Sequence, residues 1–112
     1  QLNWLPLGTD YPVENINPIA TFYNAAFGLD LNNRDNTEII KPIGRIAALK
    51  GITSWAAKSV FEENNEGSIE IGKKANFTVL SSDLLEDELD KIKNSTVIST
   101  IVNGKIVYKK RK

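Results

Sequence analysis

The clearest periodic pattern in the chain lies between Asn17 and Gly28, and it predicts an α-helix. Asn17 can cap the helix with its side-chain oxygen, Pro18 suits the first helical position, and Gly28 favours termination. Apolar residues recur at helical spacing and give one continuous face, formed by Ile19, Phe22, Tyr23, Ala26 and Phe27. We therefore expect a helix that begins at Pro18 and buries this face.

Weaker helical patterns occupy the middle of the chain, after an Asn- and Asp-rich stretch at residues 30–38 that predicts a loop. Pro42 can begin a second helix that ends at Gly51 and buries Ile43, Ile46, Ala47 and Leu49. Thr53 can cap a third helix with a shared apolar face of Ala56, Ala57, Val60 and Phe61. The acidic run at residues 62–66 ends this helix, and it should fray because acidic side chains oppose the macrodipole there.

The first residues of the chain predict a strand that leads into a turn. Residues 2–7 form an apolar run typical of a buried strand, although Pro6 is awkward in a central strand. The run leads to Asp10 on a turn, and Pro12 prevents the strand from continuing because it has no backbone donor. A carboxylate after a strand suits a catalytic group in barrel and open-sheet enzymes, but an Asp that caps a turn is more common. Spacing alone leaves both interpretations open.

Strand-like periodicity returns after Gly67. Three strands are predicted, at residues 68–71, 77–80 and 97–102. Between the last two, Leu85, Leu89 and Ile92 recur at the spacing of a short amphipathic helix. Asn103-Gly104 predicts a two-residue hairpin turn that leads into a final strand at residues 106–108.

Composition narrows the class of protein. The 112 residues, 41% hydrophobic and 25% charged, are typical of one soluble domain. Fourteen basic residues balance fourteen acidic ones, which disfavours nucleic acid and anionic membranes as partners. The basic tail at residues 109–112 is typical of a solvated terminus. Cysteine is absent, which excludes disulfides and thiolate metal sites. With no membrane span or signal peptide in the pattern, we expect a cytoplasmic protein.

Two further absences limit what the chain can do alone. It contains no Met and begins at Gln1 within a predicted strand, so we expect it to be part of a longer protein. It also contains no His, the most common ligand of catalytic metals and the usual general base near neutral pH. We therefore expect no complete catalytic centre within these residues.

Four stretches of the chain are similar, in order and spacing, to segments of one enzyme family. Residues 8–13, followed by Asn17-Pro18, are similar to its Gly-Ser-Asp-x-Pro-Val segment, with Thr9 in place of Ser. Residues 47–57 are similar to a helix in which Glu-Ala-Leu precedes a Thr and an Ala pair, with Ala47 in place of Glu.

Of the remaining two stretches, residues 67–80 are the most specific match. Residues 67–80 are similar to the signature GSIE-GK-AD-VVL, with Asn76 in place of Asp, and residues 97–108 are similar to the terminal hairpin. Together the four stretches resemble the C-terminal portion of amidohydrolase-superfamily enzymes. The most similar group is amidohydrolase family 3, which includes imidazolonepropionase-like proteins and N-substituted formamide deformylase.

The resemblance implies an α/β fold that is the C-terminal part of a TIM-barrel enzyme. Residues 1–62 would supply the last barrel strand and outer helices, and residues 63–112 would supply strands of a small composite β-sandwich. Because both units would be incomplete, we expect the isolated chain to be inactive and to self-associate through exposed edges and apolar faces.

The resemblance also implies a function. The family hydrolyses carbon–nitrogen bonds of small molecules, amides or cyclic amides, with a divalent metal that is often zinc. Asp10 would be the catalytic and metal-associated carboxylate that takes a proton from the attacking water, and Gly8 would allow the tight turn beneath it. The metal-ligating histidines would precede Gln1, so no metal is expected on this chain alone. The alternative is a non-enzymatic binding or scaffold module derived from such an enzyme.

Overall fold

The computed structural model describes residues 3–35, 37–38 and 41–111, and the described part has an α/β fold. Its helices are α1 (Pro18–Phe27), α2 (Arg45–Gly51), α3 (Ser54–Ser59) and α4 (Leu89–Lys93), and its strands are β1 (Phe77–Leu80), β2 (Val97–Val102) and β3 (Lys105–Lys109). The α/β class predicted from the sequence is confirmed. Among the described residues, no helix has the length and apolar character needed to cross a membrane.

Helix α1 has the bounds and the buried face that the sequence predicts. The side-chain oxygen of Asn17 accepts the backbone N–H groups of Ile19 at 3.1 Å and Ala20 at 3.4 Å. At the other end Gly28 adopts a left-handed φ of +70°, and its N–H closes the helix on the carbonyl of Asn24 at 2.7 Å. Four of the five predicted face residues are buried, namely Ile19, Phe22, Tyr23 and Ala26.

The core is built around α1 and draws on both halves of the chain. Ala48 of α2, Leu84 and Ile92 belong to one buried cluster with the apolar face of α1. Arg45 links the same elements, because its guanidinium donates to the carbonyls of Leu85 at 2.8 Å and Asp87 at 2.9 Å. Residues on both sides of the predicted boundary at residue 62 therefore share one apolar cluster.

Helix α2 differs from its prediction in start and in buried face. It begins at Arg45 rather than Pro42, after Gly44 with a left-handed φ of +79°. Ala48 and Gly51 are its buried residues, whereas Ile46 is 66% exposed. The predicted Leu49 is half-buried against the core, but the fully buried positions carry small residues because α1 and the first residues of the chain approach α2 closely.

Helix α3 is shorter than predicted. It ends at Ser59, and Phe61 then takes a left-handed φ of +62°, which carries its ring into solvent at 88% exposure. Thr53 occupies the N-cap position, but its hydroxyl donates backwards to the carbonyl of Leu49 at 2.7 Å. The acidic run 62–66 lies beyond the helix, so the predicted acidic helix end is wrong.

The sheet follows the predicted strands closely. Its order is β1-β2-β3 with both pairs antiparallel, and Phe77 pairs with Ile101. Asn103 and Gly104 have φ values of +49° and +76°, which confirms the hairpin turn with positive φ at both positions. Residues 68–71, predicted as a strand, form no ladder among the described residues, and Ile69 there is 84% exposed.

The predicted loop at residues 30–38 is organised by hydrogen bonds to carboxylates, chiefly that of Asp30. Asp30 accepts the backbone N–H groups of Asn32 at 2.8 Å and Arg34 at 2.9 Å, and it pairs with the Arg34 guanidinium at 2.6 Å. The backbone N–H of Arg34 is the main cause of the lowered pKa of Asp30. Asn36, part of the same prediction, lies outside the described residues.

Candidate functional site

The segment before Asp10 is extended but is not a strand, so that prediction is wrong over residues 3–7. A strand requires a ladder of backbone hydrogen bonds. Among the described residues this segment has one such contact, from the Leu7 N–H to the Gly51 carbonyl at 3.0 Å. That contact joins the segment to the last residue of α2.

Asp10 lies on a turn, as the sequence predicts. Its carbonyl accepts the N–H of Val13 at 2.8 Å, and the Tyr11–Pro12 peptide within the turn is cis. Asp10 itself has a left-handed φ of +48°, a region that Asp tolerates better than most residues. Its side chain is exposed. The residue with the left-handed backbone in this turn is thus Asp10 and not Gly8. The φ of Gly8 lies outside the left-handed region, and a Cβ there would meet nothing within 4 Å.

An open cavity of about 290 Å³ lies next to this turn. Its walls come from residues 7–9 and 16–18 together with Thr21 of α1 and Ile52. The hydroxyl oxygen of Thr21 is buried and has no hydrogen-bond partner among the described residues. Sequence reasoning missed Thr21 and Ile52, because only the tertiary contact between the first segment, α1 and the end of α2 places them beside Thr9.

The signature at residues 67–80 forms a turn that is linked to the final hairpin. The Asn76 side chain donates to Glu66 at 2.8 Å and accepts the backbone N–H of Asn103 at 2.9 Å. Lys74 lies 3.6 Å from Glu66 and 3.5 Å from Glu62. A hydrogen bond from Asn65, followed by the charge of Lys74, lowers the pKa of Glu62. These contacts hold the turn against the hairpin. The turn lies far from Asp10 in the sequence.

The described residues do not form a metal centre by themselves. They contain no group of three His, Cys, Asp or Glu side chains placed to share an ion. The full sequence has no His or Cys, so carboxylates would be the only strong ligands, and a zinc site takes three or four protein ligands. Asp10 can supply one oxygen ligand and no more.

Comparison with known proteins identifies the family. The model of the amidohydrolase family matches residues 4–108, which include the Asp10 turn, α1 to α4 and the sheet. The chain belongs to the amidohydrolase family. Amidohydrolases of this family generally use divalent metal ions. The resemblance seen in the motifs of the sequence is thereby confirmed.

Three relatives show how much of an amidohydrolase this chain represents. A 5-methylthioadenosine/S-adenosylhomocysteine deaminase of Caldanaerobacter subterraneus subsp. tengcongensis is 31% identical over 94% of this chain and 26% of its own length. The protein LONG AFTER FAR-RED 3 of Arabidopsis thaliana is 36% identical over 93% of this chain and 18% of its own. The YtcJ protein of Bacillus subtilis, named as an amidohydrolase, is 28% identical over 92% and 20%, respectively.

The chain therefore spans between about a fifth and a quarter of the length of these curated relatives. No solved structure gives a significant match. The described residues supply one turn with a carboxylate, the cavity beside it and the sheet, and the comparisons name no residue as catalytic.

Proposed function

We propose that this chain is the C-terminal part of a metal-dependent hydrolase that cleaves non-peptide carbon–nitrogen bonds of a small molecule, and that Asp10 accepts the proton of the attacking water. The observation that carries the proposal is the position of Asp10. It is an exposed carboxylate on a turn beside an open cavity, within the motif that matches the amidohydrolase family.

The chemistry of Asp10 follows from its setting. A carboxylate is a general base when it lies within hydrogen-bond reach of the proton that it removes, and exposure on a turn allows that approach. The left-handed turn, closed by the bond from the Val13 N–H to the Asp10 carbonyl, fixes the backbone from which the side chain projects. The adjacent cavity can take part of the substrate, and Thr21 is one of its lining residues.

The relatives suggest the substrate class. Two of them are named as a deaminase of purine nucleoside derivatives and as an amidohydrolase. Both names describe hydrolysis at a carbon–nitrogen bond. We propose that the substrate is an amide, a cyclic amide or an amino-substituted ring.

The proposed architecture is that of the family. Residues 1–62 would contribute outer helices of a TIM barrel and the extended segment 3–7, which would form the last barrel strand where neighbouring strands supply a ladder. Residues 63–112 would contribute to a composite β-sandwich. A divalent ion, which we propose to be zinc, would be held mainly by residues outside these 112, because the described residues place no group of three ligating side chains together and the sequence has no His or Cys. The cytoplasmic location stays a prediction.

The proposal is tested with Asp10→Asn in the complete gene product that carries this sequence. Asparagine has the same shape but cannot accept the proton, so we expect kcat to fall by about 100- to 10,000-fold. Glu14→Gln is the matched control, since Glu14 is an exposed carboxylate of the same loop. Release of ammonia from 5-methylthioadenosine, release of formate from N-substituted formamides and ring opening of cyclic amides measure the activity.

Two outcomes would contradict the proposal. Equal activity of the Asp10→Asn and Glu14→Gln variants would remove Asp10 from catalysis. A wild-type protein without turnover on the whole panel and without bound metal would favour the alternative, a binding or scaffold module derived from an amidohydrolase.

A further inference from the structure

Gly51 lies where the first segment of the chain contacts the end of α2. The Leu7 N–H donates to the Gly51 carbonyl at 3.0 Å, and this carbonyl is one of those that a helix end leaves without an internal partner. A Cβ on Gly51 would lie 2.6 Å from Cδ1 of Leu7, 2.7 Å from its Cγ and 3.1 Å from the carbonyl oxygen of Leu5. With Leu7 packed as it is on the end of α2, a side chain at position 51 would force Leu7 and the Leu5 carbonyl to shift.

The conformation of Gly51 gives no other reason for a glycine. Its φ lies outside the left-handed region, and it belongs to a helix, where alanine is the better former. Gly8, two positions before Asp10, meets nothing within 4 Å and has no such requirement. The close approach of Leu5 and Leu7 is thus the feature that excludes a side chain at position 51.

The loop that carries Asp10 depends on this contact for its position. Within the described residues, the backbone hydrogen bonds of residues 8–16 stay inside the loop or join it to Asn17, as in the bond from Val13 to Asp10. The loop is exposed apart from the half-buried Thr9. It is consequently held at its two ends, by Leu7 on Gly51 and by Asn17 at the start of α1.

We propose that Gly51 is a positioning residue for Asp10. The inference rests on the proposed role of Asp10 in carbon–nitrogen hydrolysis. Two residues separate Leu7 from Asp10, so a methyl group that moves Leu7 away from α2 moves the carboxylate with it. A displacement near 1 Å at a catalytic group is enough to lower a rate by about 100-fold.

The test compares Gly51→Ala, Leu7→Ala and the double variant in the complete gene product. In Gly51→Ala we expect hydrogen exchange at the Leu7 amide to be at least about tenfold faster, since its bond to the Gly51 carbonyl opens. We also expect kcat to fall about 10- to 100-fold while KM changes less than about threefold, because the reacting carboxylate moves and the binding surface stays.

The Leu7→Ala background isolates the cause. Leu7→Ala removes the Cγ and Cδ1 atoms that a methyl group at position 51 would meet. In that background, Gly51→Ala should therefore change the Leu7 amide exchange rate and kcat less than about threefold, as expected for two residues in direct contact.

Gly67→Ala is the matched control for general destabilisation. A Cβ there would lie 2.6 Å from the Ala57 Cβ and 3.0 Å from the Ser54 Cα, at a left-handed φ of +89°. The steric conflict is at least as severe, because the contacted atoms are a Cβ and backbone atoms, but it lies on α3. This variant should lower the melting temperature and leave Leu7 amide exchange unchanged when measured well below the transition.

Several results would overturn the inference. They are Leu7 exchange within twofold of wild type in Gly51→Ala, an unchanged kcat despite faster exchange, or equal losses in both backgrounds. If Gly51→Ala does not fold, recovery of folding in the double variant supports the inference and failure of both overturns it. If the wild-type protein has no hydrolase activity, the proposed function fails, and the exchange measurements still decide whether Gly51 holds the segment.

Discussion

At the scale of single residues, Asn76 shows how one departure from the family signature alters a contact. Its amide donates to Glu66 at 2.8 Å and its oxygen accepts the Asn103 N–H at 2.9 Å. The family signature that this stretch resembles usually has Asp at this position. An Asp could still accept the Asn103 N–H, but it would place a carboxylate against Glu66. The asparagine therefore suits a neighbour that carries negative charge.

We expect Asn76→Asp to lower the free energy of unfolding by about 1 kcal/mol or less at pH 7, since a hydrogen bond is replaced by like-charge repulsion at a partly exposed site. The repulsion raises the folded-state pKa of one carboxyl of the pair. The penalty should therefore be absent below about pH 4 and appear as the pH rises through that raised pKa. Urea unfolding at pH 3.5 and pH 7 measures it.

The control for this change is Glu66→Gln in the Asn76→Asp background. The glutamine amide can donate to the new carboxylate, so most of the lost stability should return at pH 7. Equal stability of the single and double variants at pH 7 would show that residue 66 does not contribute to the penalty.

At the scale of elements, α1 is specified locally and the shorter helices are not. The ten residues of α1 carry a cap, a proline at the first position, an apolar face and a terminating glycine, and all four features point to the same helix. Helices α2 and α3 have seven and six residues and no side-chain cap bond in the described part of the chain, so tertiary contacts decide their limits.

Replacement of Asn17, the N-cap residue of α1, should lower the free energy of unfolding, because this helix is specified by local features. Asn17→Ala removes the acceptor of two backbone N–H groups, and we expect a loss of about 1 kcal/mol in the free energy of unfolding. Asn17→Asp keeps the acceptor and adds a charge that favours a helix N-terminus, so its stability should equal that of wild type within error. Chemical denaturation of both variants makes the comparison, and an equal loss in both would contradict a capping role.

At the scale of the whole molecule, one cluster holds the helices together while much of the sheet stays uncovered. The cluster joins α1 and α2 to Leu84 and Ile92. By contrast, the edge strand β3 exposes Ile106 at 63% and Val107 at 62%. Open strand edges with apolar side chains are surfaces through which chains pair.

We therefore expect the 112-residue polypeptide to self-associate, with an average mass that rises with concentration in sedimentation equilibrium. Val107→Lys places a charge on the β3 edge and should shift the equilibrium towards the monomer. Ile46→Lys is the matched control, because Ile46 is similarly exposed at 66% but lies on α2. A wild-type chain that is monomeric at every concentration would contradict the expectation, and equal shifts in both variants would remove β3 from the interface.

The sequence by itself determined the elements whose signals are local. Helix α1, strands β1 and β2 and the Asn103-Gly104 turn all lie where composition and spacing predict them. The Asp10 turn and the family could also be predicted from the sequence, because both depend on short runs of residues in a fixed order.

Only the tertiary structure decided the features that depend on distant residues. Residues 3–7 and 68–71 have the apolar content of strands, but a strand forms only where a partner backbone supplies a ladder, and a sequence pattern does not name that partner. The burial of Ala48 in place of Ile46 has the same origin, because the space between packed elements selects side-chain size. The contact of Leu7 with Gly51 also has this origin, because it joins residues 44 positions apart.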